Sequence, residues 1–136
     1  MAAEGPTFIQ TAGLALAQSC VFTGVPSAGD FPQSATYVQN YQATYHTAPG
    51  TWGAFAYDSA ALLFHAVTAT GGWQHDPVTT SLFHTVNYSG ITGQTTIDPS
   101  TGNRDNPPVV ILTVDATGNY REAPTWSSNG HLPTKP

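Results

Sequence analysis

The sequence predicts an α/β fold in which three helices pack on a small mixed sheet. The first observation is helical periodicity, because the segments that begin near Asp30, Thr51 and Asp76 repeat apolar residues every three or four positions. The second observation is a change of period after Gly90, where short apolar runs alternate with turn residues and indicate strands. The order of these segments predicts a strand, three helices and a three-stranded end.

The N-terminal part of the chain leads into the first helix. Residues 6–18 are small and apolar and predict a loop or a short helix, followed by a strand over Ser19–Thr23. Asp30 stands where an N-cap belongs, with Pro32 in the first turn and Gln33 in the capping-box position. We therefore expect the first long helix to begin directly after Asp30.

The second and third helices have their own start and stop residues. Thr51 is a natural N-cap for a helix that runs to about Thr70 and stops at Gly71. Asp76 opens the third helix, followed by a proline, and Gly90 closes it. The residues expected on the buried face of the second helix are Phe55, Leu62, Leu63, Ala66 and Val67. Those expected on the inner side of the third are Val78, Leu82, Phe83 and Val86.

Strand patterns dominate the last third of the chain. Thr92–Ile97 is expected to form a strand, Pro99–Asn106 a polar turn, and Val109–Val114 a buried strand. A last strand is predicted near Asn119–Glu122.

Length and composition limit the possible functions. With 136 residues the chain is one domain at most, expected over residues 1–126 with a flexible tail at 127–136. Three basic residues and a net charge of −5 argue against nucleic-acid and anionic-membrane partners, which require clustered Lys and Arg. No apolar stretch approaches the ~20 residues of a membrane span, and the N-terminus lacks the features of a signal peptide.

The sequence contains no recognisable catalytic, cofactor or metal motif. His65, His75 and His84 fall on three different predicted elements, and no two histidines have the i, i+4 spacing of zinc proteases. There is no Gly-x-Ser-x-Gly elbow and no glycine-rich phosphate loop. We therefore expect no catalytic residues, no metal and no cofactor, and an enzyme such as a hydrolase is the least favoured alternative.

Two acidic residues receive structural predictions. The segment that begins at Asp98 lacks the ligand spacing of a calcium loop, since its fifth and twelfth positions are Gly102 and Val109. It is better explained as a turn in which Asp98 accepts hydrogen bonds from local amides and Gly102 adopts a positive φ. Asp58, near the start of a helix, is expected to be a structural group stabilised by the helix dipole.

An ordered set of motifs resembles a known family. The helix that carries Tyr57-Asp58-Ser59 follows Tyr45–Pro49 and precedes Tyr88–Gly93 and Ile97–Asn103. This order is similar to the C-terminal portion of the type I periplasmic binding proteins, the branched-chain amino acid branch of the ABC-importer substrate-binding proteins. Complete members are two-lobed and more than twice as long. The resemblance therefore implies a fragment of the two-lobed type I fold.

The resemblance also implies a function. The chain would be a non-catalytic, ligand-binding portion of an extracytoplasmic protein that delivers an amino acid or a similar small polar solute to an ABC transporter permease. Its ligand cleft would be completed by a missing N-terminal lobe. A sensory or regulatory ligand-binding domain of the same fold is the alternative.

Three site residues follow from the resemblance. An aromatic residue five positions before the motif tyrosine forms a wall of the ligand cleft in such proteins, and Trp52 stands five before Tyr57. Trp52 would be exposed in this role, whereas the alternative is that it clamps the loop between two helices. Tyr57 is the second expected contact, although packing between helices, with the hydroxyl on one polar partner, is the favoured explanation of this residue. Glu4 is the third, as the acid that receives the ligand ammonium, although it lies closer to Ala12-Gly13 than the family pattern places its acid.

Overall fold

A computed structural model of the chain describes residues 6–105 and 107–123. These residues fall into two compact units, one combining the segment up to Val25 with the segment from Pro108, and the other formed by Pro26–Pro107. Each of the two units contains α-helices and β-strands, so the predicted α/β class is confirmed. The boundary between the predicted domain and its tail lies outside the described residues. Within the described ranges, no helix has the length and apolarity needed to cross a membrane.

The described helices and strands are numbered in chain order. The helices are α1 (Pro6–Ala12), α2 (Leu14–Gln18), α3 (Ala35–Tyr45), α4 (Gly53–Thr70) and α5 (His75–Phe83). The strands are β1 (Phe22–Gly24), β2 (Tyr88–Gly90), β3 (Gly93–Thr95), β4 (Val110–Val114) and β5 (Tyr120–Glu122). Two 3-10 turns, Ala28–Asp30 and Pro32–Ser34, precede α3.

The first unit is built around one buried phenylalanine. β4 is the middle strand of an antiparallel sheet in the order β1, β4, β5, and α1 and α2 belong to the same unit. Phe22 of β1 packs with Ala17 and Val114 to form the core. The rings of Phe8 and Tyr120 meet Phe22 edge-on, with centroids 5.4 and 5.3 Å away. The short helix predicted before β1 is thus present as α1 and α2, which help to cover this core.

The second unit consists of α3, α4, α5 and the β2–β3 hairpin. α4 packs mainly on α5, with Ala54, Ala66 and Val78 buried in this unit. The small alanine side chains leave room for α4 and α5 to approach closely. After the hairpin, Ile97 and Arg104 form an isolated bridge that closes the polar turn between them.

The start of α3 corrects the predicted cap. Asp30 does not cap α3, because its carboxylate accepts a hydrogen bond from the backbone N–H of Ser27, 2.7 Å away and on its N-terminal side. This pairing closes a capping box on the first 3-10 turn. Gln33 lies inside the second turn, and α3 begins only at Ala35. Because the Asp30 carboxylate pairs with Ser27 instead of capping α3, the helix begins about one turn later than predicted.

The bounds of α4 agree closely with the prediction. The helix ends at Gly71, which has a φ of 73°, as expected. Its N-cap is Trp52 rather than Thr51, an error of one position. Leu63 is 37% exposed although a buried position was predicted, because α5 and the hairpin cover only part of the helix circumference.

The N-cap predicted for α5 is two positions late, and the predicted end of the helix is wrong. Gln74 is the N-cap, whereas Asp76 lies in the first turn and contacts the neighbouring histidine ring. Val78 is buried as expected, but Val86 is 67% exposed and lies beyond the helix. Gly90 does not close α5, because it belongs to β2, which pairs with β3.

The strands after α5 number four in the described chain, not three. β3, β4 and β5 lie within the predicted segments, and β2 is the additional strand. Gly90 pairs with Gly93 across a two-residue connection, Ile91-Thr92. β1 also falls at the end of the predicted strand Ser19–Thr23 and extends it to Gly24.

Candidate ligand-binding site

A buried carboxylate fastens α4 to the β2–β3 turn. Asp58 is 8% exposed. Its Oδ1 accepts the N–H of Ile91 at 2.8 Å, and its Oδ2 accepts the N–H of Thr92 at 2.8 Å and the Thr92 hydroxyl at 2.5 Å. Hydrogen bonds to an ionised acceptor are among the strong ones in proteins. Asp58 is therefore structural, as predicted, but through these three bonds to the turn.

Arg104 completes the network from the other side. Its Nη1 donates to the Thr92 hydroxyl at 3.0 Å, and its Nη2 donates to the carbonyls of Thr92 and Gln94 at 3.0 and 2.8 Å. Burial lowers the pKa of Arg104, while the negative charge of Asp58 acts in the opposite direction. Thr92 thus links a carboxylate and a guanidinium that together hold the Ile91-Thr92 turn and Gln94 of β3. Neither group is arranged as a nucleophile with an adjacent base.

The same network explains why a glycine stands at position 90. A Cβ built on Gly90 would lie closer than 3.0 Å to three carboxyl atoms of Asp58. Only a residue without a side chain leaves room for the carboxylate to reach the turn amides. The Tyr57-Asp58-Ser59 motif and the Gly90–Gly93 motif, separate in the sequence, are therefore one structural feature.

A second feature is a groove lined by four tyrosines, here called the tyrosine groove. Its volume is about 500 Å³. It is lined by Gln33, Thr36, Tyr37, Asn40, Tyr41, Thr44, Tyr45, Gly53, Tyr57 and Ile91. The ring centroids of Tyr37 and Tyr41 are 5.8 Å apart, those of Tyr41 and Tyr45 4.6 Å, and those of Tyr37 and Tyr57 5.1 Å. Burial, and then the proximity of the Tyr41 and Tyr45 phenols, raise the pKa of Tyr37, which favours the neutral phenol.

Of the three predicted site residues, the structure describes Trp52 and Tyr57, and only Tyr57 lines the tyrosine groove. Trp52 is 60% exposed, and its ring centroid lies 5.7 Å from that of Phe55, outside the tyrosine groove. Tyr57 lines the groove and packs on Tyr37 of α3. At 3.6 residues per turn, a spacing of five positions, such as that between Trp52 and Tyr57, separates two side chains by about 140° around the helix axis. Glu4 lies outside the described residues.

The predicted turn at Asp98 is confirmed. Its Oδ1 accepts the N–H of Ser100 at 2.8 Å, and Gly102 has a φ of 74°. Hydrogen bonds from the side chain and the amide of Ser100, then from Thr101, lower the pKa of Asp98. The carboxylate is therefore occupied by its own turn.

The histidines are distributed differently from the prediction. His65 lies on α4, but His75 and His84 lie at the two ends of α5, so the three occupy two elements. Within residues 6–105 and 107–123, no three His, Cys, Asp or Glu side chains cluster closely enough to hold a metal ion.

Sequence reasoning missed Arg104, Thr92 and the tyrosine groove. Tyr37, Tyr41 and Tyr45 recur every four residues in the sequence, and this spacing is the signal that indicates a row of aromatic rings on α3. The approach of Tyr57 from a second helix depends on tertiary packing. Arg104 had no local signal, because its partners precede it by 10 and 12 positions.

Among the comparisons with known proteins, only the one with solved structures finds similar proteins. No protein-family model matches the chain, and no curated protein matches its sequence significantly. Among solved structures, a leucine-binding protein from Thermotoga maritima MSB8 is similar with a TM-score of 0.69 and 23% identity, over 88% of this chain and 34% of that one. A putative branched-chain amino acid ABC transporter protein from Rhodospirillum rubrum is similar with a TM-score of 0.60 and 25% identity, over 88% of this chain and 34% of that one.

A third solved structure agrees with these two. It is an extracellular ligand-binding receptor from Rhodopseudomonas palustris HaA2, with a TM-score of 0.63 and 18% identity, over 89% of this chain and 38% of that one. The chain thus spans about a third of the length of each of these proteins. The fold resemblance predicted from the sequence is confirmed: the chain is similar to a fragment of the type I periplasmic binding protein fold, as found in branched-chain amino acid binding proteins.

Proposed function

We propose that the chain is a non-catalytic, ligand-binding portion of an ABC-importer substrate-binding protein for amino acids or similar small polar solutes. The observation that carries the proposal is the similarity of 88% of the chain to solved proteins named as leucine-binding and branched-chain amino acid transport proteins. The Asp58 network supports the non-catalytic part of the proposal, since its groups are occupied in holding a turn. The complete protein would act outside the cytoplasm, with an ABC transporter permease as its partner.

The proposal includes a missing N-terminal lobe. α4 is an 18-residue helix with three buried residues, and Leu63 and Phe64 on it are exposed. Large apolar side chains clustered on one helix commonly mark a surface that another element covers. A lobe that covers α4 would bury this surface and complete a cleft for the solute.

Trp52, Tyr57 and Glu4 are the proposed solute contacts. The exposure of Trp52 supports a role at a surface rather than in the core. Because Trp52 and Tyr57 lie on different sides of α4, we propose that Trp52 forms the wall of the cleft and that Tyr57 lies at its edge. Glu4 would receive the solute ammonium.

Titration calorimetry of the complete protein with the common amino acids tests the proposal. We expect micromolar binding of at least one aliphatic amino acid, weakened in Trp52→Ala by about 1–3 kcal/mol through lost apolar contact. Failure of every amino acid to bind the complete protein would refute the transport role for this solute class.

A sensory function is the second candidate, favoured by the similarity to a protein named as an extracellular ligand-binding receptor. Its solute chemistry would be the same, and the partner would be a signalling module instead of a permease. Co-purification of the complete protein with a permease, or with a signalling protein, separates the two.

A further inference from the structure

The tyrosine groove contains a row of aromatic rings. Tyr37, Tyr41 and Tyr45 are spaced four residues apart on α3, so their Cα atoms follow one another at intervals of about 6 Å along the helix axis. Tyr57 of α4 extends the row at the Tyr37 end. The rings are tilted by 47° to 52° to their neighbours, which makes an elongated, uneven platform rather than a ring of walls around one point.

The polar side chains that line the groove lie on α3 or in the turn just before it, and they are uncharged. The hydrogen-bonding side chains of the groove, besides the phenols, are Gln33, Thr36, Asn40 and Thr44. Amides and hydroxyls both donate and accept hydrogen bonds, as do the phenols. None of the ten described lining residues carries a charge. The groove is therefore complementary to a neutral molecule whose own groups also donate and accept.

Charged ligands fit this surface poorly. An amino acid has a carboxylate and an ammonium, and the groove offers no opposite charge to either. A quaternary ammonium is bound by aromatic cages whose rings surround it, whereas these rings form a row. A sugar has flat apolar faces that pack on tyrosine rings and hydroxyls that match amides and hydroxyls.

We propose that the tyrosine groove binds a neutral carbohydrate. The sugar faces would pack on Tyr41 and Tyr45, and its hydroxyls would pair with Asn40 and the neighbouring polar side chains. This site shares Tyr57 with the proposed amino-acid cleft but does not include Trp52, which lies outside the groove. The proposal therefore does not depend on the transport function.

Nuclear magnetic resonance titration of the 136-residue chain with maltose tests the proposal. Because the groove is open and would leave much of the ligand solvated, we expect saturable binding in the millimolar range, with shifts at the amides of α3. Tyr41→Ala is expected to weaken binding at least about tenfold through loss of a ring face. Trp73→Ala is the matched control, because Trp73 is 68% exposed and lies outside the groove.

A second variant guards against a folding defect in Tyr41→Ala. Asn40 is exposed, so Asn40→Ala is expected to leave the fold intact and still weaken maltose binding a few-fold. Absence of saturable shifts with maltose overturns the proposal. So does tighter binding of tetramethylammonium or leucine than of maltose, or maltose binding unchanged in both groove variants. Maltose binding by this chain, with no amino acid bound by the complete protein, would refute the transport proposal alone.

Discussion

Removal of the Asp58 carboxylate is expected to cost a large part of the stability of the Pro26–Pro107 unit. Asp58→Ala leaves two backbone N–H groups and one hydroxyl without their acceptor, and Arg104 loses the acid to which Thr92 links it. A buried donor left unpaired costs about 1–3 kcal/mol, and three donors lose their acceptor here. We take about 3–5 kcal/mol for the whole change, because these contributions overlap. Domains are stable by only about 5–15 kcal/mol.

Urea denaturation followed by circular dichroism measures this loss. With a slope of about 1–3 kcal/mol per molar urea, the transition midpoint is expected to fall by about 2 M. Asp58→Asn keeps the shape but presents an amino group to one of the turn amides, and we expect about half the effect. Ser59→Ala, a change at an exposed position of the same helix, is the control and is expected to stay within about 0.5 kcal/mol. An Asp58→Ala midpoint equal to that of the control would refute the structural role.

Three further predictions follow from particular residues. Gly90→Ala is expected to lower the free energy of unfolding by about 1–3 kcal/mol in the same denaturation assay, because its Cβ would collide with Asp58. Gly29→Ala is the control and is expected to change the free energy of unfolding little, because the space around its Cβ is open. Equal midpoints for the two variants would contradict this expectation. Hydrogen bonds hold the pKa of Asp115 below the ordinary aspartate value of 3.8, so its stabilising contribution is complete above about pH 4 and is lost as the pH falls further. Denaturation at pH 7, 4 and 3 is expected to show a weaker acid dependence in Asp115→Asn, and an identical dependence would contradict the assignment. Trp52→Ala is expected to lower the free energy of unfolding of this chain by well under the ~3–5 kcal/mol that removal of a buried aromatic side chain costs, because the Trp52 ring is largely exposed. A loss of several kcal/mol would identify Trp52 as a packing residue.

The sequence predicted the elements whose signals are local. α4 has an unbroken apolar pattern and a glycine at its end, and β4 is a continuous apolar run, so both were placed within one or two residues. The Asp98 turn was also predictable, because its hydrogen bonds join residues two and three positions apart. β2 was missed because a glycine such as Gly90 is typical both of a helix end and of a hairpin turn. Only the distant carboxylate of Asp58 decides between them.

The candidate site was predicted only in part. The exposure of Trp52 was expected from the polar loop before it, and the structure agrees. The tyrosine groove was not predicted, because it forms where Tyr57 of α4 meets Tyr37 of α3, and sequence spacing does not define how two helices cross. Arg104 was missed for a related reason, since its carbonyl partners lie on a hairpin that was itself incompletely predicted.

Calorimetric titration of the 136-residue chain with leucine, beside the same titration of the complete protein, tests the central claim most directly. The claim is that this chain supplies only part of an amino-acid cleft. Because affinity depends on burying most of the ligand surface, one part alone leaves the charged ends of leucine solvated. We expect micromolar binding of leucine by the complete protein and no measurable binding by this chain. Micromolar binding of leucine by this chain alone would contradict it.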